Sequence, residues 1–233
     1  MNKEKYLSKK IVASCFLASC LEIYDFTIFA FFAPIFQKNY FVFLSEESML
    51  VITYLLFAIG FIFRPVGALI FGYIGDVYGR KKTLVVSVSL MGACSLIMFL
   101  LPPYQVIGIA SCYIIVIIRI MQGLSVGGEF TGALIFAIEH TGSKNIGIVG
   151  GIMSAGGAAG ILLANLVSGI IQHPMFPESF WRIAFLLGFS LSIVGYIIRS
   201  RLSATPLFIT PTVFKDVILP IGLMRVYRYE SGN

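Results

Sequence analysis

A six-helix, all-α membrane bundle is the fold that this 233-residue sequence predicts. Three observations lead there. Hydrophobic residues make up 58% of the chain and charged residues only 12%, whereas a soluble domain averages about 25% charged. The mean hydropathy is +0.93, so the chain cannot clothe itself in a hydrated surface and lipid has to be its solvent. Six apolar stretches are long enough to span a bilayer, which takes about 20 residues. None alternates polar with apolar residues as the strands of a membrane barrel do.

The six stretches run near Ile11–Phe36, Leu50–Ile74, Thr83–Leu101, Val106–Ala137, Ile146–Ile171 and Trp181–Ile198. The first follows Lys3, Lys5, Lys9 and Lys10, and Leu17-Ala18-Ser19-Cys20 looks like a lipoprotein processing site. Its apolar run continues to Phe36, too long for a cleaved signal, so it reads as a retained helix. The fourth exceeds what a bilayer needs, and its end from about Glu129 is expected to enter the inner interface. Residues 1–10 read as a cytoplasmic N-terminus, 11–201 as the bundle, and 202–233 as a cytoplasmic tail. In that tail Val217–Met224 is too short to span and is broken by Pro220 and Gly222.

Basic residues set the expected orientation. With the N-terminus inside, ten fall on the cytoplasmic side: Lys3, Lys5, Lys9, Lys10, Arg80, Lys81, Lys82, Lys144, Arg199 and Arg201. Only Lys38 and Arg182 fall outside. Both termini are therefore expected in the cytoplasm. Pro102-Pro103, Pro174 and Pro177 mark outer loops, and Tyr104 and Trp181 are expected as interfacial aromatics. The net charge of +6 is scattered among spans rather than massed on a soluble face, which excludes nucleic acid as a partner.

Cys15, Cys20, Cys94 and Cys112 lie in apolar runs without metal-ligand spacing and read as small buried side chains. His140 and His173 have no ligand partner in sequence. There is no nucleophile–base arrangement, metal cluster or nucleotide loop, so neither an enzyme nor a cofactor is expected.

Five ionisable residues fall inside the spans: Glu22, Asp25, Arg64, Arg119 and Glu129. By helical rise, Glu22 and Asp25 lie roughly 17 and 21 Å into the first helix, and Arg64 and Arg119 roughly 21 and 18 Å into theirs. Those four sit near the midplane of a core about 30 Å thick. Each costs about 2.5–3.5 kcal/mol to insert, so the four oppose insertion by roughly 10–14 kcal/mol unless they pair or face a wet interior. Two readings stay open. They are ion pairs that lock helices together, or they hold a solute and carry a proton. A carboxylate in an apolar cavity suits reversible protonation near neutral pH, and an arginine fork fits a carboxylate. Arg119 and Gln122 share one helix face, as do Glu22 and Asp25.

Two motifs then stand out. Gly72-Tyr73-Ile74-Gly75-Asp76-Val77-Tyr78-Gly79-Arg80-Lys81-Lys82 lies between the second and third spans. It resembles the loop pattern Gly-x-x-x-Asp-x-x-Gly-Arg-Lys/Arg-Lys/Arg of the major facilitator superfamily, with every position filled. Arg119-Ile120-Met121-Gln122-Gly123 resembles that superfamily's fourth-helix pattern. Glu22–Phe26, Arg64-Pro65-Val66-Gly67, Gln122–Glu129, Trp181-Arg182-Ile183 and Thr205-Pro206 with Phe208 are similar to its metabolite:proton symporter branch. The resemblance covers about Ile11 to Phe208.

It implies a secondary transporter, coupling proton entry to uptake of a small zwitterionic osmolyte such as proline or betaine, or of a related organic acid. Glu22, Asp25, Arg64, Arg119, Gln122 and Glu129 would bind substrate or proton, with Asp25 the leading carrier. Gly72, Asp76, Gly79, Arg80 and Lys81 would form a cytoplasmic gate, Asp76 lying near a helix N-terminus of an opposite half. Plain membrane-surface charge is the alternative for that motif. No Gly-Pro step resembling an antiporter signature occurs in the fifth span, which favours symport. Ala204 stands where the branch usually has an acid before Thr-Pro.

Full members have twelve spans in two halves, and the six here correspond to the first. A second six-helix half or a second copy would supply the other wall. The alternative is a truncated remnant, or a subunit of a split transporter. A three-plus-three relation among the spans is expected of the family but is not visible in the residues. Gly123, Gly127, Gly128, Gly147, Gly151, Gly156 and Gly160 have spacings that let helices approach closely.

Overall fold

The computed structural model describes residues 9–141 and 145–201. The expectations for residues 1–8, for Lys144 and for the tail at 202–233, with Thr205, Pro206 and Phe208, lie outside the described residues, as do the side chains of Lys9, Lys10 and His140. The chain forms α1 (Lys9–Phe31), α2 (Ala33–Tyr40), α3 (Glu46–Tyr78), α4 (Arg80–Leu100), α5 (Tyr104–Ile107), α6 (Ala110–Thr141), α7 (Ile146–Ile171) and α8 (Trp181–Ser200). Six of these, α1, α3, α4, α6, α7 and α8, are long and apolar enough to cross a membrane.

Three boundaries depart from the sequence expectation, each for a local reason. The first apolar stretch breaks at Phe32, because Pro34 in the first turn of α2 has no N–H to continue the ladder of α1 and its ring clashes with the carbonyl four residues back. The fourth starts late, because Gly108 adopts φ +60 and separates α5 from α6. The basic loop after the second span contracts to a single residue. α3 runs through to Tyr78, α4 begins at Arg80, and Gly79 turns the chain with φ 97.

Packing pairs α1 with α7, α3 with α6, and α4 with α8. Exchanging α1, α3 and α4 for α6, α7 and α8 sends the first pair onto the second and leaves the third in place. A three-plus-three relation between the spans would produce this pairing. The α3–α6 and α1–α7 contacts are backbone to backbone. A Cβ at Gly127 would overlap the Arg64 carbonyl, one at Gly123 the Gly60 carbonyl, and ones at Gly156 and Gly160 the Phe16 and Cys20 carbonyls. Gly147 and Gly151 have open space around them, so the close-approach reading does not extend to those two.

One end of the bundle is an aromatic core. Phe29, Phe32, Phe36, Tyr40, Trp181 and Phe185 pack together, with Trp181 edge-on to Phe36 at 5.2 Å. Trp181 is buried there. Tyr40 donates to the Leu101 carbonyl at 3.1 Å and Arg182 to the Phe99 carbonyl at 2.8 Å. Lys38 pairs with Glu178 at 3.6 Å. The three segments assigned to the outer side by their charges thus meet at one end. All four cysteines are buried.

Candidate functional site

The midplane residues converge where α1, α3 and α6 meet. Arg119, on α6, has no exposed surface. Its Nε donates to the Leu56 carbonyl of α3 at 3.1 Å, and its Nη1 to Gln122 Oε1 at 3.0 Å, the one-turn spacing aligning the two side chains. The guanidinium carbon stands 4.3 Å from the Phe29 ring centre and 4.5 Å from that of Phe26. Gly60 makes this possible, since a Cβ there would lie 2.9 Å from Arg119 Nη2 and 2.7 Å from the Phe26 ring. Arg64, on α3, is half-buried and stacks 4.3 Å from both Phe26 and Phe61.

The acids are handled differently. Asp25 is buried and turned toward α4 and α8. Its Oδ1 accepts from Ser95 Oγ at 3.0 Å and occupies the space that a Cβ at Gly188 would need. A hydroxyl partner can donate to the carboxylate or accept from the acid, so Ser95 serves both protonation states. Glu22 is buried near Arg64, Glu129 and Arg199, whose charges act on it. Among the described residues, no ion pair within 4.0 Å joins Glu22 or Asp25 to Arg64 or Arg119.

Glu129 has its own partner. It forms a buried ion pair with Arg199 of α8 and accepts from Ser87 Oγ of α4 at 3.1 Å. Arg199 also donates to the Leu84 carbonyl at 2.9 Å. Counting charges for orientation places Arg199 in a cytoplasmic segment, yet it lies inside the bundle, 2% exposed. Glu129 is ten residues beyond Arg119, about 15 Å along the helix, so it lies apart from the Arg119–Gln122 pair.

At the basic motif, Asp76 in the last turn of α3 pairs with Arg80 at the start of α4, across the Gly79 turn. Gly79 supplies the turn, a Cβ at Gly72 would meet open space, and Lys81 is half-buried.

Several buried polar atoms have no hydrogen-bond partner among the described residues: Glu22 Oε2, Asp25 Oδ2, Arg64 Nε, Arg119 Nη2 and Gln122 Nε2. An unsatisfied buried polar atom costs about 1–3 kcal/mol. Three of the five are donors in one neighbourhood, a set that suits a carboxylate. Sequence reasoning named the charged members of this site. It missed Phe26, Phe57, Phe61 and Gly60, which hold the arginines, and Ser95 and Gly188, which hold Asp25. The one available signal was Phe57 and Phe61 lying one turn apart on the helix that carries Arg64.

Comparisons with known proteins agree with this architecture. The profile of the family described as "Sugar (and other) transporter" matches residues 11–212. A proline/betaine transporter of Escherichia coli (strain K12) is 33% identical over 204 residues, covering 86% of this chain and 41% of that protein. A putative proline/betaine transporter of Staphylococcus aureus (strain COL) is 31% identical over 227 residues, covering 95% of this chain and 49% of that protein. The chain thus spans less than half the length of these curated relatives. Among solved structures, a D-xylose–proton symporter superposes with a TM-score of 0.75 at 16% identity, over 85% of this chain and 49% of that one. A partially occluded, inward-open xylose transporter of E. coli gives 0.75 at 18%, over 84% and 48%. At such identities the likeness is one of fold.

Proposed function

Because the chain belongs to the sugar (and other) transporter family of the major facilitator superfamily, we propose that its bundle forms one half of a proton-coupled symporter for a small zwitterionic osmolyte, of the proline or betaine kind, or a related organic acid. The relatives are transporters rather than enzymes, and the bundle is that of an integral membrane protein. The observation that carries the reading is the group of unpartnered donors on Arg64, Arg119 and Gln122, with the unpartnered Oε2 of Glu22 on a carboxylate that feels the Arg64 charge. Together they offer fixed positive and negative ends to a zwitterion.

In this reading Arg119 and Gln122, locked to each other and to the Leu56 carbonyl, hold the solute's carboxylate. Arg64, half-buried, approaches from the open face of α3. Glu22 faces the ammonium end. Asp25 carries the proton, with Ser95 as its partner in either state. A complementary six-helix half, or a second copy of the chain, supplies the opposite wall, and rocking of the two exposes the site to either side. The Asp76–Arg80 turn, with Gly79 and Lys81, acts at the cytoplasmic closure. The membrane is the bacterial cytoplasmic membrane, with both termini inside. Glu129, engaged by Arg199, serves as a bundle lock next to the site.

Uptake of labelled proline, betaine and 2-oxoglutarate into vesicles under an imposed pH gradient tests this. Gradient-dependent accumulation of one of them, lost in Arg119→Gln, supports it. Folded protein that moves none of them, alone and with a co-expressed second half, removes the transport reading and leaves the fold.

A further inference from the structure

Phe26 is a ring with a guanidinium on each of two neighbours. Arg64 stands 4.3 Å from its centre and Arg119 4.5 Å. Phe61 closes on it edge-to-face at 4.9 Å, and Phe57 packs on both, 5.4 Å from Phe26 and 5.1 Å from Phe61. Arg64 is thus seated against both Phe26 and Phe61, with its Nε unpartnered and no carboxylate within ion-pair distance among the described residues. Aromatic faces rather than an anion hold it, and those faces attract any poorly hydrated cation. Arg64 and Phe61 lie three residues apart on α3, and Phe61 is 44% exposed. The guanidinium can therefore leave by side-chain rotation alone. Arg119, fully buried and tied at two atoms, cannot.

We propose that Phe26 and Phe61, with Phe57 packed against both, form a cation box for a quaternary ammonium group, in which the Arg64 guanidinium is the resident occupant that such a ligand displaces. The displaced arginine then joins Arg119 and Gln122 around the ligand's carboxylate, so a trimethylammonium one methylene from a carboxylate fits both ends. The inference rests on the zwitterion reading above and narrows it, since a fully alkylated nitrogen has no N–H to satisfy and suits a box of rings.

Binding to the full chain in lipid nanodiscs is measured with three probes: glycine betaine, 3,3-dimethylbutanoate, which has the same shape without the positive charge, and tetramethylammonium. Betaine should bind about tenfold tighter than its neutral-headed isostere, the scale of a desolvated cation–ring contact. Phe61→Leu should shrink that preference to about twofold or less, and trifluorinated phenylalanine at position 26, which keeps the shape and drains the ring face, should do the same. Arg64→Gln, by emptying the box, should strengthen tetramethylammonium binding. Equal affinity for the two isosteres, an unchanged preference in Phe61→Leu, or an unchanged tetramethylammonium affinity in Arg64→Gln overturns the box. If proline and betaine bind but these variants leave the preference unmoved, the box falls and the zwitterion reading stands. If no zwitterion binds folded chain, both fall.

Discussion

Replacing one member of the Glu129–Arg199 pair by methionine should cost far more than replacing both. The pair is buried between α6 and α8, and each partner has one further tether. Arg199→Met leaves the Glu129 carboxylate with the Ser87 hydroxyl alone, in the field of Glu22. Glu129→Met leaves the Arg199 guanidinium with the Leu84 carbonyl and a favourable Glu22 nearby. Orphaning a buried charge costs about 3–5 kcal/mol. Arg199→Met should lie at the upper end of that range and Glu129→Met at the lower. The double variant, apolar on both sides, should unfold within about 1 kcal/mol of the native chain, because removing a buried pair together is often neutral. The cycle then returns a coupling of about 5 kcal/mol or more. The chain has a single tryptophan, Trp181, buried in the aromatic end of the bundle, so its fluorescence reports denaturant unfolding in micelles. Single variants that cost less than about 1 kcal/mol, or a double variant as unstable as the sum of the two, would refute the reasoning, since the pair would then be solvated.

Gly127→Val should reduce the yield of monodisperse protein in fluorescence-detected gel filtration, because overpacking against the Arg64 carbonyl costs about 1–3 kcal/mol or more; Gly151→Ala, in open space, should change nothing measurable. Tyr24→Phe, which strips the Ala184 carbonyl of its 2.9 Å donor, should lower stability by about 1 kcal/mol in the same unfolding assay. Lys38→Ala should lie within about 1 kcal/mol of native, since its pair with Glu178 is exposed and screened; a larger loss would mean that the loop contact orders the bundle end. Gly188→Ala, which intrudes on Asp25 Oδ1, should suppress gradient-driven uptake while the unfolding midpoint stays close to native.

The six spans were legible because lipid leaves a coarse signature: twenty or so apolar residues in a row need no tertiary context to be recognised. Their ends were less so. Pro34 and Gly108 broke helices within apolar runs, and hydropathy does not register a lost N–H or a positive φ. The pairing that a three-plus-three relation would produce was hidden for a specific reason. It resides in which helices interlock, whereas the glycines that permit the contact sit on both α3 and α6 in one pair and on α7 in the other, so the two pairs do not look alike in sequence. At the site, charge in an apolar run drew attention to Glu22, Asp25, Arg64 and Arg119, but sequence offers no rule for choosing partners. Opposite charges at similar depth suggested acid–base pairing, while the fold seats both arginines on phenylalanines and gives Glu129 an arginine from the far end of α8. Aromatic residues in a span are too common for Phe26 and Phe61 to stand out before the helices are placed.

A density map of the full chain in a lipid nanodisc with bound betaine bears most directly on the central claim. The account predicts solute density at the α1–α3–α6 junction, its carboxylate within hydrogen-bond reach of Arg119 Nη2 and Gln122 Nε2. Solute bound elsewhere, or Glu22, Arg64 and Arg119 turned outward against acyl chains, would contradict it.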